Sequence, residues 1–156
     1  MMIAARLRLL VIVLWVGSLW TIGYLVAPTL FMTLADRILA GTIAGKLFRV
    51  EAWLSVVSAV LVFALISGTV AASRARTWLL RLTAVMLGCT LAGYFGLQPM
   101  MAALREAAPG GVFSAEARMQ FGILHGVASG LYLIQSIAGI VLVLKNDQVG
   151  KQIQVR

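Results

Sequence analysis

The sequence predicts an all-α integral membrane protein, a four-helix bundle with an additional amphipathic segment between spans one and two. Of the 156 residues, 62% are hydrophobic and 12% are charged, whereas soluble domains are about half apolar and about a quarter charged. Four apolar stretches reach the length of about 20 residues that a helix needs to cross a bilayer. They are residues 9–31, 50–72, 79–101 and 119–144. Because they take up most of the chain, residues 1–156 are predicted to form a single membrane domain.

The first span follows two basic residues, Arg6 and Arg8, in the manner of a signal peptide. Its apolar run, residues 9–31, is longer than the roughly 7–15 residues of a cleavable signal. We therefore expect a retained signal-anchor helix with the two arginines in its basic flank.

The amphipathic segment is residues 34–49, with the sequence LADRILAGTIAGKLFR. Leu39, Ile43 and Leu47 repeat every four residues, whereas polar side chains such as Lys46 line another face. This pattern is typical of a helix that lies along the outer interface, and also of a long extension of the second span.

Turn and capping residues mark the ends of the predicted helices. Pro28 and Pro99 fall in the last turns of the first and third spans, where a carbonyl freed by proline is easier to satisfy than at mid-bilayer. Residues 109–111, Pro-Gly-Gly, predict a turn. Ser114 and Glu116 suit the start of the fourth helix as cap and first-turn acid.

The basic residues predict both orientation and partner. The net charge is +8, but the basic residues flank spans and form no stripe, so nucleic acid is not expected as a partner. Of the 13 lysines and arginines, eight lie on the side of the N-terminus, second loop and tail. The positive-inside rule then places both termini in the cytoplasm. The expected partner is the lipid bilayer.

Polar residues inside the spans predict a pocket near the outer end of the bundle. On the fourth helix His125, the only histidine, falls on one narrow strip with Ser129. The third span offers a matching strip that includes Tyr94, with Gln98 at its edge. We expect Gln98 and His125 to belong to one hydrogen-bonded cluster that opens outward, because unpaired polar groups in hydrocarbon cost several kcal/mol. Glu51 begins the second span and could project into the mouth of the bundle.

The role of His125 has two interpretations. Its ring nitrogens could simply tie helices together, as interhelical hydrogen bonds commonly do in membranes. Alternatively it could handle protons or a ligand, because ionisable groups inside a membrane are functional candidates by default.

Small residues predict where helices approach one another. Gly122, Gly126 and Gly130 form a ridge beside the His125 strip, and such spacing favours close helix packing. Gly41 and Gly45 make a second, isolated GxxxG pair.

Sulfur ligands raise the possibility of a soft-metal site. Met32, Met100, Met101 and Met119 fall at the predicted outer ends of spans, close in depth to His125, and thioethers with imidazole select Cu(I). Met119 points about 120° away from His125 on the same helix, so the pair cannot easily share an ion. We expect no other cofactor.

Neither a disulfide nor a catalytic constellation is predicted. The lone Cys89 has no second cysteine to pair with. No Ser-His-Asp or Cys-His arrangement stands out, so the chain is not expected to be an enzyme.

The stretch LWVGSLWTIGYLVAPTLF, the following LADRILAGTIAGKLFRV and the fourth-helix run FGILHGVASGLYLIQ together resemble a bacterial family of domains of unknown function related to eukaryotic transmembrane protein 205. The resemblance implies a four-helix protein of the bacterial inner membrane. A link of the animal relative to platinum-drug resistance, and a likeness to copper-resistance membrane proteins, imply soft-metal handling. Where the family pattern allows a serine three residues after the histidine, this chain has Ala128 and then Ser129.

Two roles follow from the sequence. The first is an accessory role through helix–helix contacts with another membrane protein or with a second copy. The second is small-solute or soft-metal handling, including copper, at an outer-facing polar pocket around His125.

Overall fold

Four long helices build the protein in a computed structural model that describes residues 2–108 and 112–154. Within these ranges every regular element is helical and no strand occurs. The turn predicted at Pro109, Gly110 and Gly111 lies outside the described residues.

Helix α1 covers residues 2–33 as Met2–Trp20, a π-helical segment Thr21–Val26 and Ala27–Thr33. Helix α2 is Arg37–Thr69. Helix α3 covers residues 74–106 as Arg74–Thr90, a second π-helical segment Leu91–Leu97 and Gln98–Glu106. Helix α4 is Ala115–Gln154. All four are long and apolar enough to cross a membrane, which confirms the predicted all-α class with four spans.

The amphipathic segment joins the second span without a break. Residues 37–49 belong to the same helix as residues 50–69, so of the two predicted arrangements the structure has the extension. Asp36 starts this helix because its side chain accepts hydrogen bonds from the backbone nitrogens of Ile38 and Leu39, at 2.8 and 3.0 Å. A side-chain acceptor at this position satisfies backbone donors that have no partner within the helix.

Ser114 caps α4 as its sequence position predicts. Its hydroxyl oxygen accepts from the backbone nitrogen of Ala117 at 3.1 Å, and Glu116 lies in the first turn of the helix. Ser73 caps α3 in the same way, by accepting from the backbone nitrogen of Arg76 at 3.2 Å.

Each π-helical segment ends two residues before a proline, Pro28 or Pro99. The backbone nitrogen of Ala27 donates to the carbonyl of Ile22, and that of Gln98 donates to the carbonyl of Gly93. These bonds span five residues instead of four. Proline has no N–H to donate and its ring crowds the carbonyl four residues earlier, and a wider turn accommodates both effects.

The helices pack tightly in one half of the bundle only. We call the end with connections 34–36 and 107–114 the two-loop end, and the end with both termini and connection 70–73 the terminal end. The hydrophobic core, which includes Ile12, Trp15, Val62, Leu79 and Leu142, fills the terminal half. Few apolar side chains are buried in the two-loop half, where Ala40, Ala44 and Met101 are examples. The two-loop half therefore keeps open space between its helices.

The closest approaches at glycine differ from those predicted. A Cβ on Gly23 would collide with the ring of Tyr132, and a Cβ on Gly139 would lie 3.0 Å from Cγ2 of Val16. Both contacts join α1 to α4. Helix packing at these points depends on the missing side chain.

The predicted glycine ridge does not mediate packing within the chain. A Cβ on Gly122, Gly126 or Gly130 would meet nothing within 4 Å among the described residues. Helix α4 turns this ridge away from α1 and α3, so any packing role for it requires another molecule.

Arg8 is buried and not part of a solvated flank, which corrects the sequence interpretation. Its side chain is 0% exposed. Nε donates to Oδ1 of Asn146 at 2.5 Å, and Nη1 donates to Oγ1 of Thr69 at 3.0 Å. These hydrogen bonds tie α1, α2 and α4 together at the terminal end. Nη2 is also buried and has no hydrogen-bond partner.

Replacing Gly23 by Ala should destabilise the protein by about 1–3 kcal/mol, because the new methyl group forces the Tyr132 ring to move and breaks its hydrogen bond to the carbonyl of Leu19. Thermal unfolding in detergent, followed by circular dichroism, measures the change. Gly130→Ala is the matched control, because space is open there and alanine favours the helix. Equal stability of the two variants would contradict the contact.

Arg8 and Asn146 should be coupled in a double-mutant cycle by about 1.5–3 kcal/mol, as expected for a buried hydrogen bond to a charged group. The cycle uses Arg8→Ala, Asn146→Ala and the double variant, with unfolding measured in detergent. Arg6→Ala, at an exposed position, should have little effect. If the stability losses of Arg8→Ala and Asn146→Ala simply add in the double variant, the two side chains are not coupled and the prediction is wrong.

Candidate functional site

A cavity of about 1160 Å³ lies between the helices in the two-loop half of the protein. We call it the bundle cavity. Small residues create it, because Gly41, Ala44 and Gly45 of α2 and Gly93 of α3 contribute little side-chain volume to its wall. Gly41 and Gly45 thus face this space, and the nearest described side chains to a Cβ there are Phe31 and Gln98, each at 3.8 Å.

The structure places all five residues of the predicted polar pocket at the bundle cavity. Glu51 comes from α2, Tyr94 and Gln98 from α3, and His125 and Ser129 from α4. The five differ in depth. Glu51 is buried, Tyr94 and Gln98 are half-buried, and His125 and Ser129 are exposed.

Glu51 lies at the buried end of the cavity in a chain of hydrogen bonds. It is 3% exposed. The indole nitrogen of Trp15 donates to Oγ of Ser55 at 2.8 Å, and Oγ of Ser55 donates to Oε1 of Glu51 at 3.3 Å. The hydroxyl of Ser18 lies 3.4 Å from the same carboxyl oxygen. Oε2 of Glu51 is buried without a hydrogen-bond partner.

Several other polar groups of the cavity wall are paired within the protein. The side-chain amide of Gln135 donates to Oγ1 of Thr90 at 2.9 Å, which joins α4 to α3. Tyr24 donates to Oγ of Ser136 at 2.9 Å, and Tyr132 donates to the carbonyl of Leu19. Since buried polar groups are normally hydrogen-bonded, the free oxygen of Glu51 stands apart from its neighbours.

The mouth of the cavity is aromatic and charged. His125 stacks on Phe121 of its own helix, with ring centroids 6.1 Å apart and an interplanar angle of 8°. The guanidinium of Arg105 covers the Phe121 ring at 5.4 Å, and its Nε donates to the carbonyl of Met101. Arg37 and Glu106 also line this region, so the mouth carries both signs of charge.

The sequence predicts a hydrogen-bonded cluster that includes Gln98 and His125. The two side chains line the same cavity, but no hydrogen bond joins them in the described part of the chain. Ser129 donates to the backbone carbonyl of His125 at 2.8 Å and not to its ring. The imidazole stacks on an aromatic face instead, and therefore does not tie α4 to α3.

The predicted sulfur ligands separate in the structure. Met101 is 5% exposed and lines the cavity together with His125. Met32, Met100 and Met119 are 87%, 54% and 63% exposed and are not part of its wall. Among the described residues no group of three or more His, Cys, Asp or Glu side chains could hold a metal ion. Copper binding stays a prediction.

Sequence reasoning missed the residues that position Glu51. Trp15 and Ser55 occur in apolar helix interiors, where tryptophan and serine also serve as ordinary packing residues. Ser55 follows Glu51 by four positions, which places the two side chains on one helix face. That spacing was the available signal. The partner on α1 was not accessible from the sequence, because periodicity does not give the rotation of one helix against another.

Four helices that are long and apolar enough to cross a membrane surround a cavity with polar residues in its wall. The protein therefore belongs to the class of multi-pass helical membrane proteins. Within that class it belongs to a family known as a domain of unknown function (DUF4149), whose model matches residues 10–109. The match begins within α1, includes α2 and α3, and stops before α4, which carries His125. Comparison with curated proteins and with solved structures finds no match. The relation to eukaryotic transmembrane protein 205 stays a prediction.

Replacing Glu51 by Gln should leave stability unchanged within about 1 kcal/mol or raise it, because it removes a carboxyl group with a buried, unpartnered oxygen. Ser55→Ala should instead lower the free energy of unfolding by about 1–3 kcal/mol, because it leaves the indole N–H of Trp15 without an acceptor. Thermal unfolding in detergent compares the two. A larger loss for Glu51→Gln than for Ser55→Ala would mean that Glu51 serves the fold.

Proposed function

We propose that the protein binds a small, largely apolar molecule in the bundle cavity. The observation that carries the proposal is a cavity of about 1160 Å³ with Glu51 at its buried end. Ligand cavities in proteins typically measure about 300–1,000 Å³ and combine an apolar wall with a few polar groups that orient the ligand. The bundle cavity has this character.

The wall of the cavity supports a ligand that arrives from the membrane or from its surface. Apolar and small residues such as Ala27, Ala44, Phe48 and Ala52 make up much of the lining. Such a wall gains free energy by covering apolar surface. The polar residues at different depths provide contacts for one end of the molecule. The proposal concerns binding, and it assigns no reaction.

We propose further that the cavity opens to the non-cytoplasmic side of the bacterial inner membrane. The support is the excess of basic residues in the segments of the terminal end, since basic loops stay in the cytoplasm. The two-loop end, with His125 and Arg105, would then face outward.

The accessory role is a second candidate. It is supported by the exposed ridge of Gly122, Gly126 and Gly130, which meets no other described part of the chain. Small residues at this spacing allow another helix to approach closely. The ridge is therefore available to another membrane protein or to a second copy.

Narrowing the cavity should weaken binding. Gly45→Leu places a branched side chain in the space beside Gln98, and overlap of this kind costs about 1–3 kcal/mol, or about 5- to 150-fold in affinity. The probe is adamantyl alcohol, a compact apolar molecule, titrated by calorimetry into protein in phosphatidylcholine nanodiscs. Empty nanodiscs correct for partitioning into lipid.

Gly130→Leu is the matched control, because Gly130 lies outside the cavity and has open space around it. It should bind the alcohol as the unaltered protein does. No saturable binding to the unaltered protein, or equal affinities for the two leucine variants, would disprove the proposed site.

Orientation can be tested in intact bacterial cells with single cysteines in a Cys89→Ser background. Ala35→Cys, in the connection at the two-loop end, should react with a maleimide that cannot cross the inner membrane. Ala72→Cys, in the connection at the terminal end, should react only after permeabilisation. Both positions are exposed, so the reverse labelling pattern would invert the proposed orientation.

A further inference from the structure

The free oxygen of Glu51 defines what a ligand in the bundle cavity must offer. Trp15 donates to the hydroxyl oxygen of Ser55, so the single hydroxyl hydrogen of Ser55 is available for Oε1 of Glu51. The carboxyl group therefore acts as an acceptor on this side. Oε2 is buried and has no donor. A buried acceptor without a donor carries the desolvation penalty of that group.

The surrounding protein offers little to complete the site. The buried polar side chains Thr90 and Gln135 pair with each other, and the hydroxyl of Tyr132 is committed to the backbone of α1. The positive charge of Arg105 is held at the mouth on the Phe121 ring and the Met101 carbonyl. Among the described residues no side chain donates to Oε2 of Glu51, and a donor carried by a molecule in the cavity would supply the missing hydrogen bond.

Apolar and small residues line the same cavity as Glu51. Ala44, Phe48 and Ala52 share the wall with Glu51. A molecule that fits combines an apolar body with a hydrogen-bond donor. A primary amine has this chemistry, because its ammonium group donates hydrogen bonds and compensates the carboxylate charge.

We infer that the bundle cavity selects molecules with an apolar body and a primary amine, and that Glu51 is the residue that determines this selectivity. The inference rests on the proposed binding function and adds the chemical class of the ligand. Ser55 positions the carboxyl group, and Trp15 in turn orients Ser55.

The test compares three probes with the same apolar cage: adamantyl amine, adamantyl alcohol and adamantane carboxylate. Each is titrated by calorimetry into the full-length protein in phosphatidylcholine nanodiscs, with empty nanodiscs as the blank. The amine should bind about tenfold or more tightly than the alcohol, as expected for a hydrogen bond to a charged partner. The carboxylate should bind least tightly.

Variants assign the preference to Glu51. In Glu51→Gln the amine and the alcohol should bind with affinities within about twofold of each other, because the carboxyl group that favours the ammonium group is gone. Glu51→Asp keeps the charge and should retain part of the preference. Glu116→Gln is the matched control, because Glu116 lies in the first turn of α4 outside the cavity and should leave the preference intact.

Labelling of the unaltered protein gives a readout that needs no variant. Dicyclohexylcarbodiimide reacts with carboxyl groups in apolar surroundings, and mass spectrometry of peptides measures the modified fraction of Glu51. The amine should lower the total reacted fraction of Glu51, counted as the carbodiimide adduct plus the amide that the amine forms with the activated carboxyl group, at concentrations where the alcohol does not. If Glu51→Gln fails to fold, this measurement on the unaltered protein tests the role of Glu51 without the variant.

The outcomes separate the two proposals. Absence of saturable binding for all three probes overturns the binding function and the inference together. Binding of the three probes with equal affinity, an amine preference that persists in Glu51→Gln, or equal protection by amine and alcohol overturns only the role of Glu51. The cavity would then remain a site for apolar molecules without selection for nitrogen.

Discussion

The hydrogen bond from Trp15 to Ser55 lies where the tightly packed half of the bundle meets the cavity, and the candidate site depends on it. Toward the terminal end, core residues such as Ile12 and Leu142 fill the space between the helices. Toward the two-loop end, small residues leave the space between the helices open. Because the indole N–H occupies the oxygen of Ser55, the serine hydrogen is directed to Glu51. One contact between α1 and α2 thus fixes the position of a carboxyl group that no other charged side chain is shown to pair with.

Hydropathy predicted the four spans, and capping chemistry predicted the start of α4, because both are properties of neighbouring residues. Helical periodicity also brought Glu51, Gln98 and His125 to one cavity, since polar groups in spans turn inward. The detailed contacts were beyond the sequence. Periodicity gives a face for each helix but not its rotation against its partners. The burial of Arg8 and the close approach of Gly23 to Tyr132 depend on that rotation.

The two π-helical segments are a second reason why the sequence did not predict which residues contact each other across helices. Each segment holds more residues per turn than an α-helix, so faces assigned at a constant 3.6 residues per turn drift out of phase beyond it. On α3 the segment Leu91–Leu97 separates the buried Thr90 from Gln98. Both segments contain a Gly-Tyr pair that lines the cavity, Gly23 with Tyr24 and Gly93 with Tyr94. A π-helical segment with a Gly-Tyr pair therefore contributes to the cavity wall from both α1 and α3.

The burial of Arg8 has a consequence for biogenesis. Its hydrogen-bond partner Asn146 lies 138 positions further along the chain, so the guanidinium leaves the ribosome long before the group that receives it. Arg8 lies near the end of the first span, where a long side chain can keep its charged group in the water of the interface. The guanidinium is therefore withdrawn from water only when the helices assemble, and its hydrogen bonds to Asn146 and Thr69 then join the first, second and fourth helices.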